Sequence, residues 1–319
     1  MPIVSVIVPA LNAAATLGRT LDALADQDLD ADYEVIVVDN ASSDDTASIV
    51  EQAPGPITFV RRRTQAGVGA ARNEGAERSR GEVLAFTDAD CVPASSWLRE
   101  GLVSLKDADL VQGMVTPDPS ATRAPFDRTV WVVQESGLYE TANLFIRREL
   151  FKRIGGFQDW LGSLDTPFGE DVWLGWRARR AGARTAFSER ALVHHAVFPR
   201  KAGDYVGERC RLVYFPDMIG KIPELRRSFL YRKWFLTQRS AAFDAAVLAV
   251  AGALAVRRRA PQLIPLAMLA ALPYLRLAGC TALGWGRHAP KVAAADVASD
   301  TVGLAALIWG SARRRTLVL

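Results

Sequence analysis

The chain has 319 residues, half of them hydrophobic and 23% charged, enough for about two domains with real cores, which excludes disorder as its main state. A net charge of +4 hides an asymmetry: residues 1–199 carry 20 basic and 28 acidic side chains, residues 200–239 carry 10 and 4, and residues 240–319 carry 9 and 3. An acidic first two-thirds followed by a basic, Ala/Leu-rich last third reads as a soluble catalytic or binding domain joined to a segment that meets an anionic surface, lipid ahead of nucleic acid.

Met1 leads into the strand without a charged and apolar leader, which sets the expectation of a cytosolic N-terminal domain. Val4–Val8, ended by Pro9, and Tyr33–Val38, ended by Asp39-Asn40, are β-branched runs that predict buried parallel strands. Between them Leu17, Leu21 and Leu24 fall at helical spacing, with Asn12 or Thr16 placed as the cap. Asp44-Asp45-Thr46 opens a second helix through Ile49, and Ile57–Val60 makes a third strand. This βαβαβ beginning predicts one half of a Rossmann-like, nucleotide-binding sheet with right-handed crossovers. Gly67–Ser79 reads as a helix, and Val83–Thr87 as a fourth strand that delivers Asp88-Ala89-Asp90 at its carboxyl end, where open α/β sheets bind ligands. Residues 97–106 and 149–154 are predicted helical, Gly155-Gly156 breaks the second, and Asp171–Arg180 forms another helix before Gly182. Ala191–Val193 reads as a strand followed by His194-His195.

Beyond residue 200 the composition changes. Ala241–Val256 is apolar except for Asp244, then come Arg257-Arg258-Arg259, then an apolar run over Pro261–Leu275 with Pro265 and Pro273. Each run is shorter than the ~20 residues of a spanning helix. If the first run spanned a bilayer, its basic flanks (Arg232, Lys233 and Arg239 before, 257–259 after) would lie on opposite sides. A re-entrant or interfacial helical hairpin keeps them on one face; a soluble helical subdomain is the plainer alternative.

The strongest chemical signal is Asp88-Ala-Asp90. Two carboxylates at i and i+2 in a turn can face one hard cation and leave positions for substrate phosphates, although a solvated Asp-rich turn has the same letters. Glu170-Asp171 opens a helix some eighty residues later, where acids are commonly dipole partners. At the rim of a diphosphate site, however, such a carboxylate can take the proton of an attacking hydroxyl. A neutral imidazole from His194-His195 completes a coordination sphere with Asp90, the competing reading being a surface or core histidine. Cys91, Cys210 and Cys280 are odd in number and far apart, which excludes a disulfide framework and a zinc site of ordinary spacing. Among the tryptophans, Trp160 before Gly162-Ser163, in a predicted loop, is the best candidate for stacking on an acceptor, while Trp173 and Trp176 read as packing. The P-loop pattern is absent, and Pro9-Ala-Leu-Asn12 stands where a dehydrogenase has its first glycines.

Val8–Asn12, Val37–Asp44, Ala71-Arg-Asn73, Thr87–Asp90, Thr141-Ala-Asn143 with Phe145–Arg148, Gly155-Gly-Phe157 and Gly169–Asp171 follow in an order and spacing that resembles glycosyltransferase family 2 over about residues 3–200. The resemblance implies a GT-A fold, a nucleotide-diphosphate-sugar donor, Mn²⁺ or Mg²⁺, and inversion by single displacement onto a hydroxyl acceptor. It implies that Pro9, Ala10 and Asn12 line the nucleotide pocket, that Asp39 contacts the base and that Arg72 helps close the donor site. Asp88 would face ribose or metal, Asp90 would ligate the metal, Asp171 would be the base and Glu170 would position base or acceptor. His195, or less favourably His194, resembles the metal-binding histidine of some members. Asn40 stands where the commoner pattern has a second Asp, which leaves open whether it or Asp39 reads the base. No QxxRW follows Asp171, Gly207–Arg211 standing in its place, which favours transfer of one or a few sugars over processive synthesis.

The expectation is therefore an α/β, GT-A domain over 1–205, a basic amphipathic connector over 206–239 and an apolar helical, membrane-associated segment over 240–319. The enzyme would work at the cytoplasmic face of the membrane on a lipid-linked or membrane-proximal acceptor, with no nucleic acid as partner. A soluble, cytoplasmic glycosyltransferase acting on a small-molecule or protein acceptor and a non-catalytic scaffold are its rivals.

Overall fold

The computed structural model describes residues 2–55, 57–162, 168–258 and 261–319; Ser163 and Arg259 lie outside them. The chain divides into two compact units, Met1–Thr122 with Thr129–Phe198, and Arg123–Arg128 with Pro199–Leu319.

In the N-terminal unit β1 (Val4–Ala10), α1 (Leu17–Ala25), β2 (Tyr33–Asp39), α2 (Thr46–Gln52), β3 (Ile57–Arg61), α3 (Val68–Arg78) and β4 (Val83–Phe86) form the predicted parallel half. The second half contains β5 (Cys91–Pro93), α4 (Trp97–Ser104), β6 (Leu110–Pro117), β7 (Leu144–Arg147), α5 (Arg148–Arg153), α6 (Glu170–Arg180) and β8 (Thr185–His195). All strands join one mixed sheet in the order β3-β2-β1-β4-β7-β6-β8-β5. The chain therefore has the expected α/β architecture, a mixed sheet flanked by helices. β1 and β2 bury every residue but Tyr33, as a continuous β-branched run requires of a strand covered on both faces.

Three local expectations are corrected. β1 runs through Pro9 to Ala10, because β4 ends opposite Ile7 and only β2 pairs with β1 beyond it, so the missing N–H costs no ladder bond on the β4 side. Neither Asn12 nor Thr16 caps α1 with its side chain; the Asn12 Oδ1 instead accepts from the Ser43 N–H at 2.9 Å. β8 begins at Thr185, six residues before the predicted strand, and pairs with β6 through a register shift at Gly113/Met114.

Asn143 holds the second half together. It is fully buried, accepts from the Trp97 indole N–H at 2.8 Å, and donates to the carbonyls of Met114 at 2.8 Å and Ala191 at 2.7 Å. Trp97 is likewise buried, packed 4.9 Å from the Phe145 ring.

The C-terminal unit is helical: α7 (Ala202–Gly207), α8 (Phe215–Lys221), α9 (Leu225–Ser228), α10 (Gln238–Val256), α11 (Ile264–Leu283) and α12 (Ala289–Arg314), with a 3-10 segment over Glu208–Tyr214. A capping box of Thr237 and Ser240 starts α10. The apolar runs read as too short to span belong to helices of 19 and 20 residues, since α11 continues past Pro273 and Arg276 to Leu283. Ile264–Leu283 and Gly286–Arg314 are long and apolar enough to cross a membrane by length and composition. Leu248, Leu266, Met268 and Leu269 are each at least 60% exposed, against the burial that a soluble core would give them.

Replacing Asn143 by Ala leaves three buried groups without partners, at about 1 kcal/mol or more each. The expected outcome is a loss of about 3 kcal/mol in the N-terminal unit, read as a lower urea midpoint at unchanged slope.

Candidate active site

The carboxyl ends of the parallel strands β2, β1 and β4 lie side by side at one end of the sheet. Along the β1–β2 edge the loops interlock: the Asn12 N–H donates to Ser42 Oγ at 2.9 Å, the Ala13 N–H to Thr46 Oγ1 at 2.8 Å, and the Ala14 N–H to Asp44 at 3.0 Å. Asn12 and Ala41 both adopt positive φ, 49° and 67°, so the two turns are held in left-handed geometry by these bonds. Asp39 is fully buried at the end of β2. Its Oδ1 accepts from the Ser42 N–H at 2.8 Å, whereas Oδ2 has no hydrogen-bond partner and faces Arg61 Nε at 3.4 Å. Asn40 is committed at both ends of its amide, donating to the Ala66 carbonyl at 2.7 Å and accepting from the Ala66 N–H at 3.0 Å.

Beyond β4 the turn carrying Asp88 and Asp90 is fixed by backbone. Thr20 Oγ1 donates to the Ala89 carbonyl at 3.0 Å, the Cys91 N–H to the Asp88 carbonyl at 3.1 Å, and the Ala196 N–H to the Asp90 carbonyl at 2.8 Å. Arg72, on α3 and 4% exposed, places Nη2 2.8 Å from Asp88 Oδ1 and Nη1 3.2 Å from Glu170 Oε1. One guanidinium thus joins a helix, a strand end and the first turn of α6, residues separated by 98 positions in the chain. Burial works against its charge, but Asp88 and Glu170 more than offset that and hold it protonated.

Antiparallel pairing sets Cys91 opposite His195 and Val92 opposite His194, and successive strand residues face opposite sides. Only His195 therefore meets Asp90, with Nε2 3.5 Å from Oδ2; His194 turns away to Thr116 Oγ1 at 3.0 Å. The His195 Nδ1 lies 2.7 Å from the Ala196 carbonyl, which can only accept, so Nδ1 carries a proton. In the neutral ring Nε2 then presents a lone pair toward a carboxylate oxygen. Two acceptors at that separation call for a positive charge shared between them. Asp90 and His195 offer an oxygen and an imidazole donor of the kind that suits Mn²⁺ or Mg²⁺, with the Ala196 carbonyl orienting the ring, whereas Asp88 is turned to Arg72 and lies outside this group. The buried Cys91 thiol adjoins the same group, its proton held tightly because burial, Asp88 and Asp90 all disfavour thiolate.

Glu170 and Asp171 open α6 behind Gly169, whose φ of 73° needs a glycine-like backbone. Burial, then Glu170, then Glu140 raise the Asp171 carboxyl well above the usual aspartate range, against the Val172 N–H and Arg72, which lower it. Glu140 escaped the sequence analysis. It precedes the Thr141-Ala-Asn143 motif as a lone acid, and what brings it here is Gly175: a Cβ there would collide with the buried Tyr139 ring, so the absence of one lets Tyr139 lie on α6. Trp176 fixes the same loop by donating to the Gly137 carbonyl at 2.9 Å. Glu140 Oε2 is buried without a hydrogen bond, and burial raises its carboxyl too. Trp160 is half-buried and donates to the Gly169 carbonyl at 3.2 Å, beside Trp173 at 6.4 Å. Pro9 and Ala10 lie buried in β1.

Comparison with known proteins agrees with this arrangement. The model of glycosyl transferase family 2 matches residues 5–158. The glycosyltransferase AglE of Haloferax volcanii is 34% identical over 254 residues, 74% of this chain and 81% of AglE. Among solved structures, the mannosyltransferase PcManGT of Pyrobaculum calidifontis, in complex with GDP-Man and Mn²⁺, aligns over 97% of this chain and 87% of its own at 21% identity and a TM-score of 0.56. TarS of S. aureus aligns over 98% and 92% at 18% identity and a TM-score of 0.51. At these identities the structural likeness establishes the fold.

Arg72→Met leaves Asp88 and Glu170 without their shared cation and should lower the N-terminal unit's stability by about 3 kcal/mol. Adding Asp88→Asn and Glu170→Gln to the same variant should restore most of the loss in thermal unfolding.

Proposed function

Because the chain belongs to glycosyltransferase family 2, we propose that it is a metal-dependent, inverting enzyme that moves a sugar from a nucleotide-diphosphate-sugar to a hydroxyl acceptor held near a membrane. The observation that carries this reading is the Arg72 bridge, which sets the Asp88/Asp90 turn beside the Glu170/Asp171 helix start. GDP-Man and Mn²⁺ in the Pyrobaculum neighbour support the donor class and the cation.

Pro9, Ala10 and Asn12 line the nucleotide pocket, and Asp39, whose Oδ2 faces Arg61, contacts the base. Asp90 and His195 hold the cation, with Asp88 beside them; when bound, it stabilises the negative charge of the departing nucleoside diphosphate. Asp171 accepts the acceptor's hydroxyl proton as that oxygen attacks the anomeric carbon from the side opposite the diphosphate, which inverts the configuration. Glu170, tied to Arg72, keeps α6 in place and raises the base's proton affinity. Trp160 offers a ring to the acceptor, and the exposed apolar surface of α10 and α11 supports an acceptor that is lipid-linked or membrane-proximal.

Asp171→Asn should lower kcat ~10³-fold with donor binding nearly intact, whereas Asp90→Ala should weaken the metal–nucleotide complex itself. Calorimetric titration with UDP and GDP, each with and without Mn²⁺, measures this; equal loss of donor affinity in both variants sinks the division of roles. Since Asp171 must be ionised to act and its carboxyl is raised, activity should fall off on the acid side at a pH above the ordinary aspartate range. Glu140→Gln removes one of the charges that raise it and should move that limb of the kcat/KM profile to lower pH; an unmoved or upward-shifted limb refutes the assignment.

A further inference from the structure

We propose that the face of the sheet opposite the main core, at β6 and β8, is an acceptor subsite that takes a neutral sugar ring. The inference rests on the glycosyltransferase reading above and adds to it the chemical class of the acceptor. Alternation along the strands defines the face. Val111 and Val115 of β6, with Ala191 and Val193 of β8, point into the main core beside Leu21 of α1 and Trp97 of α4. Met114 and Thr116 therefore lie on the other side, paired in register with Leu192 and His194, and all four are half-buried. Val132 extends the same sheet: it exchanges both backbone hydrogen bonds with Val115, at 2.8 and 2.9 Å, and its side chain joins that core. Trp131 thus falls on the side of Thr116 and His194, and it is 59% exposed. The face leads to the base. Gln112, two positions before Met114 and on the same side of β6, donates to the Glu140 carbonyl at 3.2 Å. The neighbouring Tyr139 ring packs on Gly175 of α6, the helix whose first turn carries Asp171.

The chemistry of the face identifies its occupant. His194 supplies the polar contact: Thr116 Oγ1 lies 3.0 Å from its Nδ1 and steadies the ring, and Nε2 has no partner among the described residues. That nitrogen can serve one hydroxyl, as donor or as acceptor. Met114, Thr116, Leu192, His194 and Trp131 include no lysine, arginine or carboxylate, so a phosphate would find no counter-charge among them. A hydrocarbon chain would cover the imidazole and the Thr116 hydroxyl without bonding to either. A peptide adds to the edge of a sheet, not to its face. A pyranose satisfies the whole set, with its C–H face on the Trp131 indole and a hydroxyl on His194 Nε2. The adjacent imidazoles divide the work, His195 toward the cation and His194 toward the acceptor.

The test is saturation-transfer NMR on the full chain in a neutral detergent with Mn²⁺ and UDP or GDP present. The probes are methyl α-mannopyranoside, methyl β-glucopyranoside, methyl β-galactopyranoside and methyl phosphate. Ring C–H protons of at least one glycoside should receive saturation, and methyl phosphate should not displace it. Trp131→Ala should weaken that glycoside ~10-fold and Trp131→Phe should restore it. His194→Gln, the second variant, should also weaken it, and unchanged nucleotide affinity in calorimetry shows that each variant is folded. The proposal is overturned if no glycoside is saturated, if methyl phosphate displaces it, or if the signal survives in both Trp131→Ala and His194→Gln. A wild type that binds a glycoside at Trp131 but neither nucleotide keeps the subsite and refutes the transferase reading. One that binds a nucleotide but no glycoside refutes the subsite alone.

Discussion

Arg72 is the constraint on which the catalytic unit depends. Its guanidinium ties the first half of the unit to α6, and it does so inside the protein, where an ion pair with one missing partner is far costlier than a surface pair. The consequence reaches beyond its two partners. By fixing Asp88 it fixes the turn that carries Asp90, and by fixing Glu170 it sets the start of the helix that carries Asp171. Asp171 then sits among Glu170, Glu140 and Arg72, so that three neighbours and burial together determine how tightly it holds a proton.

Much of this was legible in the chain itself. The β-branched runs at Val4–Val8 and Tyr33–Val38 specify buried parallel strands by composition alone, and the acids at Asp88, Asp90, Glu170 and Asp171 announce themselves by standing at strand and helix ends. What failed to show was whatever depends on pairing across long intervals. β6 and β7 carry no signal that distinguishes them from loop until they pair antiparallel, and β8 starts early because Thr185–Ser188 finds a partner in Leu110–Gly113. Glu140 is the clearest case. It stands next to the Thr141-Ala-Asn143 motif without being part of it, and its place follows from a glycine thirty-five residues later that makes room for the Tyr139 ring on α6.

The histidine pair shows how register settles what composition leaves open. Both imidazoles are adjacent in sequence, so either can be drawn toward Asp90 on paper. Pairing of Cys91 with His195 decides between them, because alternation along β8 sends the two rings to opposite faces of the sheet. The same alternation explains why the Cys91 sulfur shares the group with Asp90 and His195, a proximity that the cysteine count could not suggest. Asn40 and Asp39 differ in how their polar groups are used: the amide is bonded at both ends to residue 66, and the carboxylate is divided between the Ser42 N–H and Arg61.

The C-terminal unit turns its sequence composition inside out. A basic, apolar segment would ordinarily scatter its few acids on the surface, where solvation costs nothing. Here the three carboxylates are drawn inward, Asp296 and Asp300 onto Arg239, while leucines and a methionine of α10 and α11 are left outside. That inversion is what a lipid environment rewards, since the cost of exposing hydrocarbon disappears and the cost of exposing a carboxylate rises. α12 qualifies by length and composition as a spanning helix, yet Asp296, Ser299 and Gly303 on it are buried, and Asp300 is bonded to Arg239 and Tyr274. Its polar stripe is thus used within the protein. α10 and α11 bury Phe243, Ala246, Tyr274 and Ala278 against each other, and leave Leu248, Leu266, Met268 and Leu269 exposed.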